Sequence, residues 1–264
     1  MSGVAGKVTI VAGAGTPGNM GQGLARRFAA AGAKVVVAGR KKEPLDELAR
    51  DIGGDYRLCD FEKKQDIDAL VAFTQQRHGR VDVGINCTGW GLLKPFEQTT
   101  EEELQRMMDL QFKGPFQFMQ ALVAVMDRGG SILMLSSATA TIMLEHHAAY
   151  MGTKAGIDHV VRCVANEYGH KGIRVNSISP GVTETPMAGD SLKVPEIRKA
   201  FEAGYPLGRI GTIDDIADAA LWLASDSCFM TGQNLQVNGG LTLRRNPTMA
   251  EMGAAFASAT EHLR

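Results

Sequence analysis

Cysteine is scarce and scattered in this chain of 264 residues: Cys59, Cys87, Cys163 and Cys228 stand far apart, with no CxxC pair. That spacing argues against a zinc site or a dithiol redox motif, so no metal is expected. Four reduced, mostly buried thiols are the simple expectation. Charge of one sign is also missing: 28 Lys and Arg against 29 Asp and Glu leave a formal net charge of −1. Nothing in that balance suggests capture of nucleic acid or of an anionic membrane. No block of like charge is longer than Glu101-Glu102-Glu103. Acids in such a run suit the first turn of a helix. No apolar stretch approaches the ~18 residues of a membrane span. The N-terminal MSGVAGKVTIVAG lacks the basic-then-apolar order of a secretory signal. These absences point to a soluble cytoplasmic protein.

What the chain does have is an alternation. Short apolar runs, KVTIVA (7–12) and KVVVA (34–38), are of strand length, and weaker candidates lie at 81–86, 131–135, 173–178 and 234–237. Helical patterns fall between them near 20–31, 43–52, 64–78, 101–127, 148–170 and 214–224. Strands alternating with helices predict an α/β fold, a single Rossmann-like, doubly wound parallel β-sheet flanked by helices on both faces. KVVVA shows no in/out alternation, as a strand buried on both faces should not. Residues 1–240 read as one domain. Residues 241–264 read as a C-terminal extension, in which Met249, Met252, Phe256, Ala259 and Leu263 follow helical spacing. It is expected to pack on its own subunit or a neighbour, over an active-site mouth.

Five glycines crowd the stretch AGAGTPGNMGQGLARRF, at Gly13, Gly15, Gly18, Gly21 and Gly23. The stretch follows the first strand and opens a helix whose face carries Leu24, Phe28 and Ala31. That context is what a dinucleotide-binding turn requires. Gly13 begins the turn. Asn19 is placed as N-cap, with Gln22 three residues on to complete a capping-box-like pair. Gly21 is then the position where a missing side chain lets a pyrophosphate approach free N–H groups at the positive helix end. Gly23 is assigned to helix packing. The literal GxGxxG at Gly13, Gly15 and Gly18 reads as an accident of a longer loop around Pro17.

A ribose-reading acid is expected about 20 residues on, at the end of the second strand. The sequence there is Gly39-Arg40-Lys41-Lys42. A guanidinium grips a 2′-phosphate bidentately. Arg40 therefore favours NADP(H), with NAD(H) the alternative.

Tyr150 and Lys154 are four apart, one turn on one helical face. A free tyrosine has a pKa of about 10, and roughly one in a thousand is ionised at neutral pH. An ammonium at ~4 Å is expected to lower that value by about two to three units. Such a tyrosine can pass a proton to or from an alcohol oxygen while hydride moves at carbon. Ser137, closing a strand 13 residues earlier, can hold the same oxygen.

Together these marks resemble the short-chain dehydrogenase/reductase superfamily, its common single-domain branch, along nearly the whole chain. Ala12 to Gly21 is similar to that family's glycine turn, TGxxxGxG. Asp60 looks like its adenine-contacting acid, and Asn86-Cys87-Thr88-Gly89 resembles its NNAG motif. Ser137, Tyr150 and Lys154 match its catalytic residues. Pro180-Gly181-Val182 and Thr185 match PGxxxT, whose backbone and hydroxyl hold the nicotinamide carboxamide. PLGRIGTIDDIA and TGQNLQVNGG resemble its C-terminal signatures. The resemblance implies cofactor contacts at Gly13, Asn19, Met20, Gly21, Arg40, Asp60, Phe61, Asn86, Gly89, Tyr150, Lys154, Pro180, Gly181, Val182 and Thr185. It also implies a homotetramer with the Tyr150 helix and the C-terminal segment at interfaces. Three departures stand out. The turn is two residues longer, NNAG has become NCTG, and Gln111 replaces the family's fourth catalytic residue, an asparagine that supports a water chain from the lysine. Glutamine reaches one methylene further, and either holds that water or displaces it.

On the substrate side, the strand-end loops supply Trp90, Leu92, Met143, Leu144, Met187 and Tyr205, an apolar set suited to a hydrophobic or alicyclic ketone or alcohol. His146 and His147 precede Tyr150, as substrate contacts or as solvent-exposed loop residues. The leading expectation is an NADP-preferring oxidoreductase that interconverts a secondary alcohol and a ketone. The alternatives are an NAD-preferring enzyme of the same fold and a cofactor-binding regulatory protein that has lost catalysis.

Overall fold

The β-branched runs become strands because both of their faces are covered. All five residues of β1 (Val8–Ala12) are buried, as are four of six in β2 (Lys34–Gly39). β3 (Asp55–Leu58), β4 (Val83–Asn86), β5 (Gly130–Leu135), β6 (Ile173–Pro180) and β7 (Asn234–Val237) complete the sheet. In this computed structural model, which describes residues 3–261, the order is β3-β2-β1-β4-β5-β6-β7. Every pairing is parallel. The doubly wound architecture is as the alternation predicts.

Helices α1 (Met20–Ala30), α2 (Lys42–Ile52) and α3 (Lys64–His78) follow the first three strands. α4 (Glu101–Met108), α5 (Gly114–Val125) and α6 (Ala148–Tyr168) come next, then α7 (Pro195–Glu202), α8 (Ile213–Ala224) and α9 (Met249–Glu261). Leu24 and Phe28 of α1, Leu45 and Leu48 of α2, and Ile216 and Leu223 of α8 bury one face of the sheet. Ile67 and Leu70 of α3, Phe118 and Leu122 of α5, and Ile157 and Val161 of α6 bury the other.

Two elements depart from the sequence reading. β3 was not among the expected strands. Its residues DYRL form an edge strand, half-buried to exposed, so no apolar run marks it. The 101–127 window is not one helix. A π-helical turn at Asp109–Lys113 separates α4 from α5 and carries Leu110 and Gln111 to the interior. Such inserted turns are frequent at functional sites.

Sheet order reverses between β1 and β4, which are hydrogen-bonded neighbours with Ala12 opposite Asn86. Loops leaving the carboxyl ends of adjacent strands to opposite faces open a crevice there. The Gly13–Asn19 turn, the 39–41 turn, the 86–91 turn and the loop after β6 all border it. Beyond β7, Thr248 and Glu251 cap α9 reciprocally, at 2.7 and 3.2 Å. The buried Asn246 donates from Nδ2 to the Met143 carbonyl at 3.2 Å, and Met249 N–H donates to Glu145 at 2.8 Å. The extension thus lies on its own chain's 143–145 loop and against α7. Leu263 lies outside the described residues. No helix among the described residues is long and apolar enough to cross a membrane.

Candidate active site

Asn19 caps α1: its Oδ1 accepts from Gln22 N–H at 2.9 Å, and its Nδ2 donates to the Gly13 carbonyl at 2.7 Å. Gln22 does not return the bond to Asn19. Its Oε1 accepts from Gly18 N–H at 3.4 Å and its Nε2 donates to Ala14 O at 3.2 Å, so the extra turn residues are what it holds. The assignment of Gly21 needs correction. A Cβ there would lie 2.6 Å from the Gly13 oxygen. Its bareness lets α1 sit on the turn's backbone rather than admit a ligand. The first-turn N–H groups of Met20 and Gly21 still have no intrahelical acceptor. Gly23 faces Ile213 of α8, as helix packing requires.

A crevice of about 420 Å³ runs along the sheet switch point, lined by Gly13, Gly15, Asn19, Arg40, Asp60 and Gly89, with Thr16, Lys41, Trp90 and Met187 also bordering it. Gly15, read from the sequence as part of the lengthened turn, also lines this crevice. Arg40 is exposed, with Nη1 3.8 Å from Glu62. Phe61 packs on Phe118 with the rings tilted and their centres 5.3 Å apart, and it also reaches the crevice. Asn86 is buried and serves its own turn, accepting from Thr88 N–H and Oγ1 at 3.0 and 2.8 Å.

Burial sets the electrostatics of the α6 residues. It pushes the Tyr150 phenol up to about 12, with the Ser137 hydroxyl opposing. The expected lowering by Lys154 is not what the geometry produces: its Nζ is 5.5 Å from the Tyr150 ring centre and donates to the Leu135 carbonyl at 2.6 Å. Burial brings the Lys154 ammonium down to about 8, with Asp158 and then Cys87 opposing. Asp158, one turn further along α6, accepts from Ser136 Oγ at 2.7 Å and Asn234 Nδ2 at 2.6 Å. It thereby ties the strand end that carries Ser137 to the helix that carries Tyr150 and Lys154. Counting one more helical turn from Lys154 would have found it.

Gln111 does not reach Lys154. Its Oε1 accepts from Trp90 N–H at 2.7 Å, and its Nε2 donates to Thr153 Oγ1 at 3.0 Å. Thr153 in turn donates to the Tyr150 carbonyl at 2.8 Å. The extra methylene lets the amide span from the 86–91 turn to α6.

The substrate-side residues divide. Trp90, covered by the Arg106 guanidinium at 4.6 Å, and Met187, lying over Gly89 and Gly91, are on the crevice. Met143 is exposed under the C-terminal extension. Tyr205 is not on the rim: it is 3% exposed and sits beneath Gly181, its hydroxyl accepting from Val182 N–H at 2.6 Å. The Pro-Gly turn thus rests on a core tyrosine, and the Val182 N–H is already engaged. Thr185 is turned to Thr183 O at 3.4 Å. His147 is buried rather than a solvent-exposed loop residue.

The cysteines fit the expectation only in part. All four are free, but only Cys59 and Cys228 are buried, Cys87 is partly covered and Cys163 exposed. Burial pushes both Cys59 and Cys87 up to about 12. The thiolate is the reactive form. Both should stay silent to Ellman's reagent on the folded protein at pH 8 and report in guanidinium, which peptide mapping of the labelled cysteines would check.

A family model described as enoyl-(acyl carrier protein) reductase matches residues 13–242. The chain belongs to the short-chain dehydrogenase/reductases. It is 37% identical over 248 residues to 3beta-hydroxysteroid dehydrogenase 1 of Eggerthella lenta, which spans 90% of this chain and 94% of the relative. It is 34% identical over 249 residues to glucose 1-dehydrogenase of Gluconobacter oxydans, at 90% and 93% coverage. The structure of a short-chain type dehydrogenase/reductase from Mycobacterium ulcerans superposes with a TM-score of 0.89 at 30% identity, covering 94% of each chain. This short-chain dehydrogenase/reductase is accordingly an NAD(P)-dependent oxidoreductase acting on CH–OH groups.

Proposed function

We propose that this short-chain dehydrogenase/reductase interconverts a hydrophobic or alicyclic secondary alcohol and its ketone, with NADP(H) preferred. The observation that carries the reading is the convergence of Ser137, Tyr150 and Lys154, with Lys154 close to Cys87 on the lining of a crevice that also presents Arg40.

The residues present fit a dinucleotide. The crevice lies at the sheet switch point, lined by Gly13 and Gly15 and flanked by first-turn N–H groups of α1 suited to a pyrophosphate. Asp60 and Phe61 suit the adenine end. The Pro180–Val182 main chain and Thr185 suit the carboxamide, with Val182 N–H first giving up Tyr205. NADP(H) supplies or takes up the hydride at the substrate carbon.

Tyr150 is the acid/base. At neutral pH a phenol pushed up to about 12 is protonated, the form that ketone reduction needs as donor. Lys154, with a value near 8, is predominantly an ammonium at pH 7 and favours the phenolate when the proton leaves. It also suits the nicotinamide ribose hydroxyls. Ser137 orients the substrate oxygen. Gln111 acts by holding Trp90 and, through Thr153, the Tyr150 backbone.

In the proposed homotetramer, a cytoplasmic assembly, α6 and the C-terminal segment lie at interfaces. The extension covers the active-site mouth of its own subunit, consistent with its bonds to Met143 and Glu145.

A charged hydrogen bond contributes about 1.5–3 kcal/mol, which is about 10–150-fold at 1.4 kcal/mol per decade. Arg40→Asp should therefore lower the NADP/NAD ratio of kcat/KM by about that factor, measured with one alcohol and both cofactors. An unchanged ratio would show that Arg40 does not read the 2′-phosphate and would favour the NAD-preferring reading.

A further inference from the structure

Two rings are stacked at the start of α6. His147 lies against Tyr150 with centroids 4.2 Å apart and planes 23° from parallel. The imidazole is 8% exposed, and its Nδ1 is 2.7 Å from the Leu92 carbonyl oxygen. A carbonyl only accepts, so Nδ1 carries the proton. In the neutral ring Nε2 then holds a lone pair. Burial lowers the ring's affinity for a second proton, which keeps that lone pair free at neutral pH. Nε2 has no protein partner among the described residues.

The placement of this ring is strongly constrained. His146 holds φ at +62°, a region that side-chain-bearing residues seldom occupy. Its carbonyl accepts from Lys94 N–H at 2.6 Å, and Lys94 Nζ pairs with Glu103 at 2.8 Å. The loop from Trp90 to Lys94 is thus bound to Gln111 at one end and to His146 and His147 at the other. Strain kept where several bonds impose it is characteristic of functional sites. Packing alone would be served by a phenylalanine. An imidazole with one nitrogen fixed and the other unpartnered, one ring from the acid/base, is arranged to accept a hydrogen bond.

We propose that His147 Nε2 accepts from a second hydroxyl of the substrate, on the carbon next to the reacting one, so that this enzyme prefers cyclic vicinal diols and the matching α-hydroxy ketones. The proposal rests on the reading in which Tyr150 serves the reacting oxygen. Hydroxyl hydrogen bonds run about 2.7–2.8 Å. Stacked rings 4.2 Å apart keep the imidazole next to the group that serves the reacting oxygen, and the neighbouring carbon is the nearest place on the substrate for a second hydroxyl. Because Nε2 only accepts, a hydroxyl is recognised and a methyl ether in its place is not.

The test compares kcat/KM with NADP for cis- and trans-cyclohexane-1,2-diol, cyclohexanol and 2-methoxycyclohexanol. For the wild-type enzyme, one diol should exceed both mono-alcohols at least tenfold. His147→Phe keeps a flat ring against Tyr150 and removes the acceptor, and the diol-to-cyclohexanol ratio should collapse to within threefold of one. His147→Gln, which retains an acceptor, should recover part of the ratio. That second variant keeps the test decisive if the Phe protein does not fold. Equal turnover of diol and cyclohexanol by the wild type overturns the proposal and leaves the oxidoreductase reading standing. So does a loss in His147→Phe that is the same for both, since that marks a purely structural ring. Turnover of none of the four with either cofactor, although NADPH binds, overturns the vicinal-diol proposal, and a wider panel of alcohols and ketones then decides the reading beneath it.

Discussion

Tyr150→Phe should lower kcat by about 10²–10⁴, the range attributed to general acid–base catalysis, while the NADPH Kd changes less than about threefold. The change removes one oxygen and little else. The ring keeps its stack on His147 and its place near the Lys154 ammonium. Lys154 remains bonded to the Leu135 carbonyl, and Gln111 keeps its bonds to Trp90 and Thr153. The reacting oxygen would then have Ser137 alone to meet it, and a serine hydroxyl is too weak an acid to replace a phenol. Steady-state turnover and fluorescence titration of NADPH on the same preparation separate the two quantities. Turnover within tenfold of wild type would move the acid/base elsewhere. NADPH binding by the wild type with no turnover of any alcohol or ketone would instead support the regulatory reading.

Gly21→Val should cost about 4 kcal/mol or more, the range reserved for severe core lesions. At 2–4 °C per kcal/mol for a domain of this size, Tm without added cofactor falls by about 8–16 °C. A Cβ at position 21 would lie 2.6 Å from Gly13 O, 2.8 Å from Gly13 C and 3.0 Å from Ala14 N. All three are backbone atoms, which cannot rotate aside. Gly13 cannot yield either: its own φ is +88°, and a Cβ there would be 2.7 Å from the Cys87 carbonyl carbon. α1 would have to lift off the sheet, carrying with it Leu24 and Phe28, both fully buried. A ligand-facing Gly21 predicts the opposite pattern, a normal Tm with cofactor binding lost. Thermal unfolding of the protein alone distinguishes the two.

The alternation of apolar runs and helical windows was enough to read the sheet, because a strand buried on both faces leaves an unbroken apolar run. β3 escaped because an edge strand need not be apolar, and DYRL is not. The interval from Tyr150 to Lys154 and the cap at Asn19 were legible for a related reason: helical spacing makes neighbours of residues three and four apart. The π-turn at Asp109–Lys113 shifts that spacing by one residue, and no periodicity over 101–127 reveals it.

Composition and local spacing by themselves determined the fold class, the position of the glycine-rich turn, the Tyr150–Lys154 pair and the cation at Arg40. Only the tertiary structure decided what each polar atom meets. Gln111 spends its amide on Trp90 and Thr153, the Tyr205 hydroxyl takes Val182 N–H, and His147 is bound by Leu92. It also gave a different reason for the missing side chain at Gly21, the Gly13 backbone on which its α-carbon sits. Most of these partners lie many residues apart in the chain. Local sequence shows which groups need a partner, but which one they find is set by how the strands and helices pack.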